Sequence, residues 1–208
     1  LPPVIYIQNT FRAAYDEMAP TLPAHRLSVE EGKSSFDLTF ESWQDRDTAR
    51  DALAAAGVPV VYTGPVDRYF DYELGDLKWR TVDFKEVRYD EGDHFGCPVM
   101  NFSDADVPYT RAIEFKNFNP ERHDAQNPNK TVVWEEYSRF AERGDEPYYP
   151  VNTDADKALY AQYEAKAKAE PNTVFGGRLG TYKYYDMHNV IDTALTAYEE
   201  QVAPLLKK

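Results

Sequence analysis

Residues 174–190 read VFGGRLGTYKYYDMHNV, and the rest of the chain is best understood outward from them. Val174 and Phe175 are apolar and strand-like. Gly176, Gly177 and Gly180 interrupt them, and Tyr182, Tyr184 and Tyr185 crowd together behind. After Asp186, apolar residues recur at helical spacing, at Val190, Ile191, Ala194, Leu195, Tyr198 and Val202. The spacing predicts a strand, a glycine turn and a helix start. Glycines at such a junction let a backbone approach a ligand closely. A helix N-terminus beside them would turn unpaired N–H groups toward an anion, and Arg178 adds a planar fork of donors. An ordinary turn between a strand and a helix has the same pattern, and GGRLG is not the dinucleotide fingerprint G-x-G-x-x-G.

The bulk properties narrow the partners. The chain has 208 residues, enough for one or two domains with a real core. A net charge of −13 argues against a nucleic-acid partner, whose phosphates are met by Lys and Arg. A phosphorylated ligand must therefore be met by a few local arginines. Sixteen tyrosines supply rings that also carry a hydroxyl, which suits polar ligands. No apolar run reaches membrane-spanning length. Cys97 is the single cysteine and can form neither an internal disulfide nor a zinc cluster, which fits a reducing cytoplasm.

Along the chain, residues 4–7 read as a strand and 10–18 as a helix ended by Pro20 and Pro23. Residues 28–35 read as a polar loop, and His25 as a lone surface residue. Phe36, Leu38 and Phe40 alternate with polar neighbours, so 36–40 is a strand. A helix over 45–56, closed by Gly57, and a strand over 58–62 complete what reads as a βαβ unit with parallel pairing. DRYFDY, 67–72, reads as aromatics packed beneath a connection. Strands follow at 77–89, 98–102, 110–118 and 130–140, with 119–129 an exposed loop. Within 77–89 the apolar phase switches between Phe84 and Val87, which suggests a bulge. Thr153 and Asp156 resemble a capping box opening a helix to Ala169, with Leu159, Tyr160, Tyr163 and Ala167 on its buried side.

No hydrolytic triad or metal-ligand spacing appears. Asp104 and Asp106 lack the further ligands calcium needs and read as turn chemistry. Glu135 and Glu136 are strand neighbours facing opposite sides, so they are not a glycosidase pair. What remains is Arg80, Arg111, Arg178, Tyr149 and Tyr184: guanidinium forks and phenols that suit a diphosphate, with rings that suit a base, a sugar or a flavin. Arg111 shares a strand face with Ile113, and Glu136 shares one with Trp134. Either these two charges pair with each other, or Arg111 meets an anion in a cleft.

GGRLGTYKYYDM resembles the C-terminal flavin-binding segment of the UDP-galactopyranose mutase family. VVYTGPVDRYFDYELGDLKWRT, VMNFSDADVPYTRAIEFKNF, and EEYSRF with DEPYYPVN resemble the same family in the same order. The resemblance covers residues 36–208, most firmly 60–203; residues 1–35 match nothing in it. It implies an α+β fold: a mostly antiparallel substrate-binding sheet over 68–149, and over 36–67 and 150–208 the C-terminal part of an FAD-binding, Rossmann-like α/β domain. It implies a flavin-dependent isomerase of galactofuranose and cell-wall biosynthesis, cytoplasmic, interconverting UDP-galactopyranose and UDP-galactofuranose. The reduced FAD attacks the sugar through N5 and UDP leaves and returns.

The resemblance also implies roles. Arg111, Tyr149 and Tyr184 would contact the diphosphate, and Arg80 and Glu136 would lie in the substrate site. Asp186 would stand near sugar and flavin, and Gly177, Arg178 and Met187 would touch the cofactor. A homodimer is one assembly it allows. The family's dinucleotide fingerprint and mobile loop have no counterpart in this sequence, so the chain on its own is expected to be inactive, at best a partial flavin or substrate binder. Two other readings are a flavin oxidoreductase of the same superfold and a non-catalytic nucleotide-sugar-binding module.

Overall fold

The computed structural model describes residues 4–119, 121 and 128–206. The chain divides into two units, Leu1–Leu74 with Ala161–Lys208, and Gly75–Tyr160. Together they contain helices and mainly antiparallel sheets, an α+β composition.

The first unit opens with β1 (Val4–Gln8), α1 (Arg12–Met18), β2 (His25–Val29) and β3 (Ser35–Phe40). β3 is the middle of a three-stranded sheet and pairs antiparallel with β1 on one side and β2 on the other. Its alternation sends Phe36, Leu38 and Phe40 into a core with Ile7, Tyr15, Ala49, Leu53 and Val58. Each such side chain contributes about 1.5–3 kcal/mol by leaving water. The helix α2 (Trp43–Ala55) starts on Ser42, whose Oγ accepts from the Asp45 N–H at 3.1 Å. It ends at Gly57, whose φ of +85° suits a residue without a Cβ.

Two expectations fail here. The strand after α2, β4 (Val60–Tyr62), does not pair with β3. Both edges of β3 are already taken, one of them by β2, whose Leu27 and Val29 are exposed and so left no alternating signal. His25 is half-buried rather than a lone surface residue. Its Nε2 lies 2.9 Å from the Tyr15 hydroxyl and its ring stacks obliquely on Phe40 at the rim of this core. In α3 (Val66–Tyr69) and beyond, DRYFDY packs as expected: Tyr69 meets Tyr62 and Phe70 edge-on, both at 4.9 Å.

The second unit holds β5 (Trp79–Tyr89), β6 (Val99–Asn101), β7 (Arg111–Glu114), β8 (Thr131–Phe140) and β9 (Tyr149–Pro150). They form one antiparallel sheet in the order β6-β7-β8-β5-β9. β5 and β8 pair without interruption from Arg80↔Phe140 to Tyr89↔Thr131, so β5 has no bulge. The switch of apolar phase has another cause: Val82 and Phe84 lie on one face, and Val87 lies on the other, opposite Val133. The strand read over 110–118 stops at Glu114, and Phe115–Phe118 turns into a 3-10 helix. Most of the 119–129 loop lies outside the described residues.

The helix α4 (Asp154–Ala169) carries the capping box: the Asp156 N–H reaches Thr153 Oγ1 at 3.2 Å, and the Thr153 N–H reaches Asp156 Oδ2 at 3.1 Å. Its Tyr163 is fully buried. β10 (Thr173–Phe175) follows and pairs parallel with β4, Phe175 facing Tyr62 in register. This is the parallel pair that the sequence assigned to the wrong strands. α5 (Gly177–Gly180) and α6 (Met187–Ala197) follow, and a π-helical turn (Tyr198–Val202) and a short helix, α7 (Ala203–Leu205), come after them. No helix among the described residues is long and apolar enough to cross a membrane.

Candidate functional site

Four of the singled-out residues belong to the second unit, and the strand register puts all four on one face of its sheet. Residues directly opposite share a face, as do alternate residues along a strand. Asn101, Arg111, Glu136 and Phe84 form one row across β6, β7, β8 and β5. Phe140, Arg80 and Tyr149 form another row across β8, β5 and β9. Val82 and Ser138 lie between the two rows. This face is open: Phe84, Trp134, Phe140 and Tyr149 are all exposed.

The reverse face is covered. Ala112, Glu114, Thr131, Val133 and Glu135 are buried there. Burial of Glu114 is tolerated because its carboxylate accepts from the N–H groups of His94 and Phe95, at 3.0 and 2.9 Å, and from Thr131 Oγ1 at 2.6 Å. Glu135 accepts from the Tyr137 hydroxyl at 2.8 Å and from Lys85 at 3.2 Å. Glu135 and Glu136 therefore do face opposite ways.

Of the two alternatives the sequence left open for Arg111, the structure shows the pairing with Glu136, and the pair is loose. Arg111 Nη1 lies 3.7 Å from Glu136 Oε2, a long ion pair, and the guanidinium side chain remains 42% exposed against 15% for Glu136. A pair this exposed contributes at most about 1 kcal/mol. The Nε–H donates to Asn101 Oδ1 at 3.0 Å, and Thr110 Oγ1 donates to Glu136 Oε1 at 3.2 Å. Arg80 lies over the Phe140 ring, 4.6 Å from its centroid, and donates from Nε and Nη2 to Ser138 Oγ at 3.2 and 2.7 Å. Arg80 and Arg111 are two strands and four residues apart. At about 3.4 Å per residue and 4.8 Å per strand, their Cα atoms lie roughly 17 Å apart.

The other five singled-out residues lie in the first unit, within the stretch that follows β10. The Gly176 N–H donates to Tyr62 O at 3.0 Å, which laces the turn to the end of β4. Gly177 has φ +71°. A Cβ on Gly180 would come to 3.1 Å from Tyr62 O and 3.6 Å from Gly64 O. The glycines thus serve close backbone approach and a left-handed conformation. The helix expected after Asp186 is present as α6, which begins at Met187, and an additional single turn, α5, opens at the glycines themselves. Asp186 caps α6 without a side-chain bond, its carbonyl accepting the Val190 N–H at 3.0 Å. Asp186 and Tyr184 are exposed and Met187 is 85% exposed, as are Ile191, Leu195 and Tyr198 along α6. Arg178 is half-buried on α5.

Sequence reading missed Asn101, Thr110 and Ser138, the partners of Arg111, Glu136 and Arg80. It also missed Thr63, whose Cβ would lie 3.7 Å from one on Gly177. Their one signal is shared parity or strand-end position, which becomes visible only once the register is known.

The UDP-galactopyranose mutase family model matches residues 29–184, well over half of the chain, and starts inside the segment that had seemed unmatched. A probable UDP-galactopyranose mutase of Klebsiella pneumoniae is 44% identical over 142 residues, 68% of this chain and 35% of the relative. The dTDP-fucopyranose mutase of Escherichia coli is 42% identical over 137 residues, 65% of this chain and 35% of the relative. The UDP-galactopyranose mutase of Mycoplasma pneumoniae is 37% identical over 146 residues, 68% of this chain and 36% of the relative. The chain thus spans about a third of the length of these curated relatives. With the matched residues running through the open sheet face and the glycine turn, the chain belongs to the UDP-galactopyranose mutase family.

Proposed function

We propose that this chain carries the substrate-sheet face and the flavin-side turn of a mutase that interconverts UDP-galactopyranose and UDP-galactofuranose. The observation that carries this reading is the gathering of Arg80, Arg111, Glu136 and Tyr149 on one open sheet face. In a chain of net charge −13, two half-exposed arginines on such a face are suited to an anion. Their separation matches the span of an extended nucleotide-sugar better than a single phosphate. Arg111 would hold the diphosphate, with Tyr149 as a phenolic donor on the same sheet face. As UDP departs and returns, these groups would offset the negative charge that grows on its phosphate oxygens. Glu136 would orient sugar hydroxyls.

The residues present fit FAD. Arg178 adds a guanidinium to the glycine turn, and a Cβ on Gly176 would meet nothing within 4 Å, so a flat ring has room beside the backbone. Gly177, Arg178 and Met187 would hold the cofactor. When bound and reduced, it supplies the nucleophilic chemistry of the ring interconversion. The protein's own part is binding, orientation and charge.

The Escherichia coli relative is named for a dTDP-fucopyranose, so a thymidine nucleotide is the second substrate reading. Calorimetric titration of the chain with UDP, UDP-galactose and dTDP tests both. UDP binding that weakens at least ten-fold in Arg111→Ala is expected. Preference for dTDP moves the substrate to the second reading. No nucleotide binding, with FAD still bound, points to an oxidoreductase. Binding that is indifferent to FAD points to a non-catalytic module.

A further inference from the structure

We propose that Asn101 and Ser138 are positioning residues: neutral tethers that fix Arg111 and Arg80 on the open sheet face while leaving their charge for an anionic ligand. This rests on the nucleotide-sugar reading above and adds two residues to it.

The geometry is parallel at the two sites. Asn101 lies opposite Arg111 in the β6–β7 register and accepts its Nε–H at 3.0 Å. Ser138 lies two residues before Phe140, the register partner of Arg80, and accepts from both Nε and Nη2. In each case the acceptor sits on the Nε side. Among the described residues, Nη2 of Arg111 and Nη1 of Arg80 have no hydrogen-bond acceptor. These are the edges that a phosphate would take.

Other arginines of the same unit are treated differently. Arg139 is gripped by two carboxylates, Asp83 with contacts of 2.7 and 3.1 Å and Asp145 with contacts of 2.5 and 3.1 Å. Arg143 is held by Asp76 at 2.6 and 3.0 Å. Those charges are neutralised. An acidic chain has many carboxylates to offer, yet the hydrogen-bonded tethers of Arg80 and Arg111 are an alcohol and an amide, and the one carboxylate beside Arg111, Glu136, stands off at 3.7 Å. A neutral acceptor removes part of an arginine's rotational freedom before binding, so less is lost when the ligand arrives. It also adds no negative charge of its own beside the guanidinium.

The test uses the whole chain, with UDP as the probe and two measurements. In calorimetry, Asn101→Ala and Ser138→Ala should each weaken UDP binding about ten-fold, and Ser138→Thr, which keeps the hydroxyl, should bind like wild type. Asn101→Asp keeps an acceptor but adds a carboxylate, and should bind UDP no better than Asn101→Ala, with an unchanged melting temperature. A purely structural role predicts the reverse, since aspartate would hold Arg111 at least as firmly. In nitrogen-15 NMR, the Arg111 Nε–H should exchange slowly with water in wild type and quickly in Asn101→Ala. Wild-type affinity in Asn101→Asp, or equal exchange in wild type and Asn101→Ala, overturns the proposal. A wild-type chain that binds no UDP overturns the substrate reading instead, and the Nε–H exchange still decides whether the tether exists.

Discussion

Replacing Glu136 with glutamine should tighten the binding of UDP. The carboxylate lies 3.7 Å from Arg111 Nη1 and is the nearest negative charge to the proposed diphosphate position. A phosphate on the far side of the guanidinium would stand about 7 Å from it, where two unit charges repel by roughly 0.6 kcal/mol at the dielectric of water and about 2.4 kcal/mol at an effective value of 20. This face is open, so the lower part of that range applies, about 1 kcal/mol or five-fold in Kd. Glutamine keeps an oxygen for the Thr110 hydroxyl, so the local hydrogen bonding survives. The assay is calorimetric titration of wild type and Glu136→Gln with UDP at low and high salt. The gain should shrink as salt rises, because the lost repulsion is screened. With UDP-galactose the gain should be smaller, since a carboxylate accepts a sugar hydroxyl more strongly than an amide does. Weaker UDP binding in the variant, or a gain unaffected by salt, would mean that Arg111 does not meet the diphosphate beside Glu136.

Three further outcomes follow from buried or paired groups. Burial pushes the Tyr62 phenol up to about 12, whereas an unfolded tyrosine ionises near 10. Stability should therefore hold below pH 10 and fall by about 2–3 kcal/mol as pH rises through 12. Urea unfolding of wild type and Tyr62→Phe between pH 8 and 11 checks this, the variant showing a shallower alkaline slope, with the rest kept by Tyr15, Tyr69, Tyr89 and Tyr137, whose phenols are also pushed up. At the other limit, Arg139 and the Glu142 N–H hold Asp145 down to about 2. That contribution is present above the ordinary carboxylate range and is lost as pH falls from about 4 toward 2, so Asp145→Asn should flatten the acid limb of the same profile. Gly180→Ala places a Cβ against Tyr62 O and Gly64 O and should cost about 1–3 kcal/mol in thermal unfolding, with FAD affinity falling as the turn shifts.

Much of the sheet was legible because strand alternation carries it. Phe36, Leu38 and Phe40 announce a buried face, and residues 130–140 announce a long strand with Glu136 on an apolar face, as Arg111 is on its neighbour. Pairing was less legible, because alternation says which way a side chain points and nothing about the neighbouring strand. β3 and β4 flank a helix as a βαβ unit would, yet β3 is occupied on both edges and β4 pairs with a strand more than a hundred residues away. β2 left little trace, since two of its apolar residues are exposed. The apparent bulge in β5 came from reading one face at a time where both faces carry apolar residues.

The same limit explains which candidate residues the sequence singled out. Arginine and tyrosine stand out by chemistry, so Arg80, Arg111 and Tyr149 could be named without a partner. Asparagine, serine and threonine are common in turns and carry no charge, so Asn101, Thr110 and Ser138 look ordinary until register sets them beside a guanidinium or a carboxylate. An open face that mixes Phe84 with Arg111 and Glu136 in one row is a poor surface for a core, because each charge would need a buried partner. It is a good surface for a ligand that is itself part ring and part anion. The row thus favours a nucleotide-sugar over either a purely apolar partner or a simple phosphate, and it does so through the order of side chains across four strands, which no single segment of the sequence contains.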